Sequence, residues 1–196
     1  MIYGKYKNVR NSSWQCIIDY NVTSLPVSLI KIGRQADILI IKNTLAKKLK
    51  YNERGISIYD GQWIIVYDDT QSSAVSRFTI AHEFGHIFLG HRLKNGYYAR
   101  TFEKRNDEEQ EADMFAARLL APACVLWALN LHTADEISDV CKISKSAATI
   151  RAERMEILYN RNKFLTSPLE RQVYNQFSDY IKNHSQSGYF ESDNKR

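Results

Sequence analysis

The alternation of apolar and polar residues in the first third of the chain predicts strands next to a helix. Two runs rich in β-branched and aromatic residues, 56–59 and 62–67, flank Asp60-Gly61, a dipeptide that favours the turn of a β-hairpin. The apolar run 38–41 is typical of a strand. Residues 24–34 are predicted to form a helix, with Ser24 as its cap and Pro26 in its first turn. We therefore expect a small antiparallel sheet, preceded by this helix and by a weakly patterned segment, 1–23.

The segment 74–90 is predicted to be a helix, capped by Ser72 or Ser73, that is apolar on almost every side. Such a helix lies inside a protein. It nevertheless carries two histidines and a glutamate, and buried polar side chains need partners. This conflict marks the helix as the candidate functional element of the chain.

The rest of the chain is predicted to be mainly helical. Residues 91–106 are basic and polar and are interpreted as a loop, whereas 107–120 are predicted to form a helix closed by Pro122. Two helices separated near 142–144 are expected in 133–160, followed by an amphipathic helix in 167–182 and a frayed tail. We divide the chain into residues 1–130, a helix-turn-helix-like segment 131–165, and a C-terminal helix with its tail, 166–196.

The sequence His82-Glu83-Phe84-Gly85-His86 is an HExxH motif. Residues four apart share one face of a helix, so both imidazoles can reach a single zinc ion. Glu83 lies beside them and is predicted to act as the catalytic base of a peptidase. The motif therefore predicts a Zn²⁺ site with His82 and His86 as ligands.

A third ligand is predicted on the following helix. The metzincin pattern would need His at position 92, which is Arg92, and His91 stands one place early, so His91 is interpreted as a residue at the end of the helix. Glu109 and Asp113 follow the ExxAD pattern of glutamate-type zincins, in which the first residue binds zinc and the second orients a ligand histidine. Glu108 and Glu111 remain alternatives to Glu109 as the ligand.

Two segments together resemble the ImmA/IrrE family of metallopeptidases. Residues 77–86 read RFTIAHEFGH and residues 109–122 read EQEADMFAARLLAP, and the preceding hairpin also fits the family. Ala121 stands where family members usually carry Met. The resemblance implies a zincin-like α+β fold, with a small antiparallel sheet packed against the buried HExxH helix, and it implies Glu109 as the third zinc ligand. It further implies a cytoplasmic protein of a bacterium, phage or mobile genetic element, an anti-repressor that cleaves a helix-turn-helix repressor.

Composition and charge agree with an intracellular globular protein. Hydrophobic residues make up 44% of the 196 residues, and the three cysteines are too far apart to predict a disulfide framework. No apolar N-terminal segment indicates a secretory signal, and no apolar run predicts a membrane span. The net charge of +5 permits contact with nucleic acid or with an acidic partner. Composition leaves the oligomeric state open.

A second function remains open, that of a DNA-binding or protein-binding regulator whose zinc site is mainly structural. Residues 133–160 resemble a helix-turn-helix, and the stretch 142–163 is rich in Lys and Arg. Glu83 favours the peptidase, because a structural zinc site needs no base. For the peptidase, Tyr97, Tyr98 and Arg100 are candidate donors to the oxyanion, and the strand 62–67 is a candidate edge for an extended substrate.

Overall fold

The computed structural model describes residues 3–91, 97–101 and 107–190; the side chains of residues 3, 5, 97–101 and 185–190 lie outside this description. Within these ranges the chain forms four strands and ten helices. The strands are β1 (Ile38–Lys42), β2 (Glu53–Tyr59), β3 (Trp63–Tyr67) and β4 (Tyr97–Thr101). The helices are α1 (Tyr3–Asp19), α2 (Leu29–Gln35), α3 (Asn43–Ala46), α4 (Ser73–Phe88), α5 (Asp107–Leu120), α6 (Ala123–Ala128), α7 (Ala134–Cys141), α8 (Lys145–Arg161), α9 (Pro168–Gln176) and α10 (Ser178–Phe190).

The four described strands form one mixed sheet in the order β1-β3-β2-β4. The predicted hairpin is confirmed: β2 and β3 are antiparallel, and Gly61 in their turn has a φ of +69°. β1 pairs in parallel with β3, so β3 lies inside the sheet, and the prediction that 62–67 is an outer strand is wrong. β4 pairs with β2 and forms part of the segment that was interpreted as a loop. The α+β class is confirmed, with one parallel pair added to the antiparallel ones.

Helix α4 is buried between the sheet and the other helices, as its apolar circumference predicts. Its side chains at Ile80, Ala81 and Phe84 are buried, and it packs against both β2 and α5. Ser72 caps its first turn by accepting a hydrogen bond from the backbone N–H of Val75 at 3.4 Å.

The N-terminal region differs most from the prediction. α1 is a helix where the sequence shows only weak patterning, and it buries Val9, Cys16 and Ile17 while packing against α5 and α9. α2 begins at Leu29 with Ser28 as its cap, so the prediction of a helix that begins near residue 24 is wrong.

The C-terminal half packs as a layer of helices against the same core. α7 and α8 are separated by residues 142–144, and Lys142 has a φ of +52°, which ends α7. Ala148 and Met155 of α8 are buried. Two helices, α9 and α10, occupy the region for which one amphipathic helix was predicted. None of the described helices combines the length and the apolar character that a membrane crossing requires.

Candidate metal centre

Helices α4 and α5 bring the candidate ligands together because they approach closely. A Cβ atom on Gly85 would lie 2.9 Å from the Cα of Ala112, so this approach is possible only for glycine facing a small residue. Glu109 lies one helical turn before Ala112, and the approach therefore turns Glu109 towards the two histidines of α4. The small residues of both helices determine how far the third ligand is from the first two.

The donor atoms of three side chains from these helices converge. The Nε2 atoms of His82 and His86 are 3.0 Å apart. Glu109 Oε2 lies 3.2 Å from His82 Nε2, and Glu109 Oε1 lies 3.4 Å from His86 Nε2. Bonds of 2.0–2.1 Å at tetrahedral angles place zinc ligands about 3.3 Å from one another. The three side chains therefore fit a zinc ion and can hold a metal.

Burial and charge suit these donors to a cation. Both histidines are 1% exposed. Partial burial alone would raise the pKa of Glu109, but its hydrogen bonds with His82 and His86 hold that pKa below its usual range. The carboxylate is thus ionised at neutral pH, which is the form that binds a metal.

Asp113 lies behind the first histidine. Its Oδ1 is 2.8 Å from His82 Nδ1 and accepts a hydrogen bond from that ring nitrogen when Nδ1 carries the proton. Without a metal, His82 Nε2 hydrogen-bonds to Glu109; a bound cation would replace that proton, and protonation at Nδ1 would then leave the lone pair of Nε2 for the metal. Asp113 is four residues after Glu109 on α5, so one helix supplies both a donor atom and a group that orients another.

The carboxyl group of Glu83 is fully buried beside this cluster, against β2. Its Oε2 accepts a hydrogen bond of 2.5 Å from Ser57 Oγ, and its Oε1 is buried without a hydrogen-bond partner among the described residues. Burial raises the pKa of Glu83. A Cβ on Gly55 would lie 3.1 Å from Oε1 and 2.5 Å from Thr79 Cγ2, so glycine leaves the room that Glu83 occupies. Sequence reasoning did not find Ser57 or Gly55.

Comparison with known proteins decides the family. The model of the IrrE N-terminal-like domain, peptidase family M78, matches residues 34–153, more than half of the chain. The chain belongs to this family. The resemblance to ImmA/IrrE proteins is confirmed, and the chain is a member of a metallopeptidase family. No curated protein matches the chain.

In this IrrE N-terminal-like domain, the second histidine also has a partner behind it. His91 Nδ1 lies 2.9 Å from His86 Nδ1, and His91 Nε2 lies 3.2 Å from Glu111 Oε2. Burial and the neighbouring His86 lower the pKa of His91, which favours a neutral ring that accepts at one nitrogen and donates at the other. His91 follows the end of α4 as predicted and, with Glu111, lies behind the donor set.

The candidate oxyanion donors fall outside the described side chains. Tyr97, Tyr98 and Arg100 belong to β4, of which the backbone is described. β4 pairs with β2, and β2 carries Ser57, the partner of Glu83. The strand that holds these three residues is therefore next to the strand that supports Glu83.

Proposed function

We propose that the chain is a zinc-dependent endopeptidase in which His82, His86 and Glu109 bind Zn²⁺ and Glu83 is the catalytic base. One observation carries the proposal: the side chains of His82, His86 and Glu109 approach one another pairwise to 3.0–3.4 Å beside a buried carboxylate that belongs to none of the three. Membership of a metallopeptidase family supports it.

Zinc, when bound, supplies a Lewis acid that polarises the scissile carbonyl and lowers the pKa of water. Glu83 accepts a proton from the attacking water and passes it to the leaving amine. Ser57 donates to one oxygen of Glu83, so the other oxygen is the one that takes the proton. Asp113 keeps the Nδ1 proton on His82, and Nε2 therefore stays a ligand.

The number of protein ligands favours catalysis over a structural role for the metal. Structural zinc sites are closed by four protein ligands, whereas catalytic sites have three and keep one position open. Within the described ranges, the group of side chains able to hold a metal contains three residues, His82, His86 and Glu109. This set supports a site that is open to substrate.

We propose that the substrate binds as an extended strand along β4. β4 is an outermost strand of the described sheet and pairs on one side with β2. An edge strand presents backbone donors and acceptors to an incoming peptide. This assignment replaces the strand 62–67, whose two sides are occupied by β1 and β2.

The proposed substrate is a helix-turn-helix repressor cut at one site, and the proposed location is the cytoplasm. The resemblance to anti-repressors of mobile genetic elements supports both statements. A peptidase among other cytoplasmic proteins requires narrow specificity, so generic substrates such as casein should be cut poorly. We also propose that the peptidase part, 1–130, is followed by a helix-turn-helix-like segment, 131–165, and by a C-terminal helix with its tail, 166–196.

The arrangement of α8 argues against the alternative of a DNA-binding regulator. A recognition helix presents basic side chains to the major groove. Arg151 is buried and donates to the carbonyl of Ala121, and Arg154 donates to the hydroxyl of Tyr6. The exposed positions of α8 carry Glu153 and Glu156 as well as Lys145 and Arg161. Two of the four basic residues of α8, Arg151 and Arg154, therefore bond to other parts of the protein.

The test is co-expression with a helix-turn-helix repressor encoded beside this gene, followed by intact mass measurement. Wild type should produce a single fragment pair, and Glu83→Gln should lose roughly 10²–10⁴-fold in rate, the range for a general base. Glu153→Gln, which removes the same charge from an exposed position, is the matched control and should cleave like wild type. Unchanged cleavage by Glu83→Gln would contradict the assignment of the base. Absence of cleavage by wild type, together with tight binding of a DNA duplex, would favour the regulator.

A further inference from the structure

A cavity of about 270 Å³ lies between α1, α5, α8 and the segment before α9. Its described lining is strongly basic and contains one carboxylate, that of Glu170. The basic residues of the lining are Arg10, Arg118, Arg151, Arg154, Arg161 and Lys163. None of them belongs to the metal centre.

The central guanidinium groups are held by neutral groups. Arg118 donates to the carbonyl of Met114 at 2.9 Å, and its guanidinium lies 4.5 Å from the ring centroid of Tyr6. Arg154 donates to the hydroxyl of the same tyrosine at 2.7 Å. Arg151 donates to a backbone carbonyl, and its Nε is buried without a hydrogen-bond partner among the described residues.

Among the described residues, these cations form no ion pair with a carboxylate, and Glu170 is the one carboxylate of the described lining. Within the described part of the chain, none of the six basic side chains of the lining lies within 4.0 Å of a carboxylate oxygen. Burial and the neighbouring Arg118 lower the pKa of Arg151 to about 10. Partial burial alone would raise the pKa of Tyr6, but the charges of Arg118 and Arg154 hold it below its usual value. Buried like charges are costly unless an anion joins them.

We propose that this cavity binds a phosphate group carried by a small ligand. Arginine presents donors in a planar fork that matches phosphate oxygens, and a phosphate has enough acceptor oxygens for several such forks. Arg161 and Lys163 also line the cavity and are exposed, so they supply further cations for a second phosphate group. The volume is below the roughly 300–1,000 Å³ of pockets for drug-sized molecules, so the cavity suits a phosphate or diphosphate with little else enclosed.

The experiment is isothermal titration of the zinc-loaded protein at constant ionic strength with inorganic phosphate and with ADP. Adenosine and succinate serve as controls for the base and for a dicarboxylate. Phosphate and ADP should bind, and adenosine and succinate should bind at least tenfold more weakly. Zinc content is measured before and after titration and should not change, because the cavity lies apart from the metal centre.

Variants locate the site. Arg118→Gln and Arg154→Gln should each weaken binding about 10–100-fold, the loss expected for a charge-assisted hydrogen bond. Arg34→Gln removes an exposed arginine of α2 and should bind like wild type. If either of these substitutions prevents folding, Arg161→Gln, at an exposed position, should still weaken ADP binding several-fold.

The proposal is overturned if wild type binds neither phosphate nor ADP at millimolar concentration, or if succinate binds as tightly as phosphate. It is also overturned if Arg34→Gln weakens binding as much as the cavity variants do, since the interaction would then depend on overall charge. The peptidase proposal is tested separately, by the zinc content of the protein and by cleavage with the Glu83→Gln variant.

Discussion

Substitution of Gly85 by alanine tests how helix packing sets the metal centre. The added Cβ would lie 2.9 Å from the Cα of Ala112, 3.1 Å from its carbonyl oxygen and 3.2 Å from its Cβ. These atoms include backbone, so relief to an ordinary 3.4 Å contact requires α5 to move away by about 0.5 Å. Glu109 lies one turn away on α5 and should move with it. Zinc sites tolerate changes of about 0.2 Å in ligand distance, so zinc affinity should fall roughly 10–100-fold.

The same substitution has two opposing effects on stability. Alanine in a helix interior is favoured over glycine by about 1 kcal/mol, whereas overpacking a core costs about 1–3 kcal/mol. The metal-free protein should therefore be about 0–2 kcal/mol less stable in urea denaturation. Gly4→Ala is the matched control, because Gly4 is helical and its added Cβ meets no atom within 4 Å. Competition with a chromophoric chelator measures affinity. A Gly85→Ala protein that gains about 1 kcal/mol and binds zinc like wild type would refute the reasoning.

Three further substitutions address the residues behind the donor atoms. Ser57→Ala removes the hydrogen bond to Glu83 and should lower the rate of peptide cleavage about tenfold while zinc content stays unchanged; a loss of zinc would contradict this role. Asp113→Ala should weaken zinc binding about 10–100-fold, because His82 loses its acceptor, and unchanged affinity in the chelator competition would remove Asp113 from the site. His91→Phe keeps a ring but removes the nitrogen facing His86, so zinc affinity should fall by a similar factor, whereas His132→Phe, at an exposed position, should not change it.

The parts of the fold that sequence predicts well depend on local spacing. The bounds of α4 and α5 lie within two residues of those expected, because α4 is an apolar run that follows a capping serine and α5 is rich in helix-forming residues and ends before Pro122. α1 was not predicted because its buried face includes the polar residue Ser13. Trp14 is also buried, next to that face, so the apolar residues do not follow a clear helical period. The parallel pairing of β1 with β3 joins strands separated by β2 in the chain, and no local pattern specifies such a pairing.

At the metal centre, too, local spacing predicts some residues, whereas contacts between distant segments bring in others. His82 and His86 are recognisable from spacing, since four residues is one turn of a helix. Ser57 meets Glu83 only because β2 packs on α4, a contact across 26 positions of sequence. His91 is five residues after His86, a separation that puts two side chains on different faces of a continuous helix. Their contact depends on α4 ending at Phe88 and on the positive φ of Gly90, +67°.

The zinc content of purified protein tests the central claim most directly. Wild type should hold about one zinc per chain by elemental analysis, the stoichiometry of a three-ligand catalytic site. His82→Ala and Glu109→Ala should each lose most of that metal, and Glu108→Ala, which removes the adjacent carboxylate, should retain it. Near-stoichiometric zinc in both the His82→Ala and the Glu109→Ala protein would contradict the account.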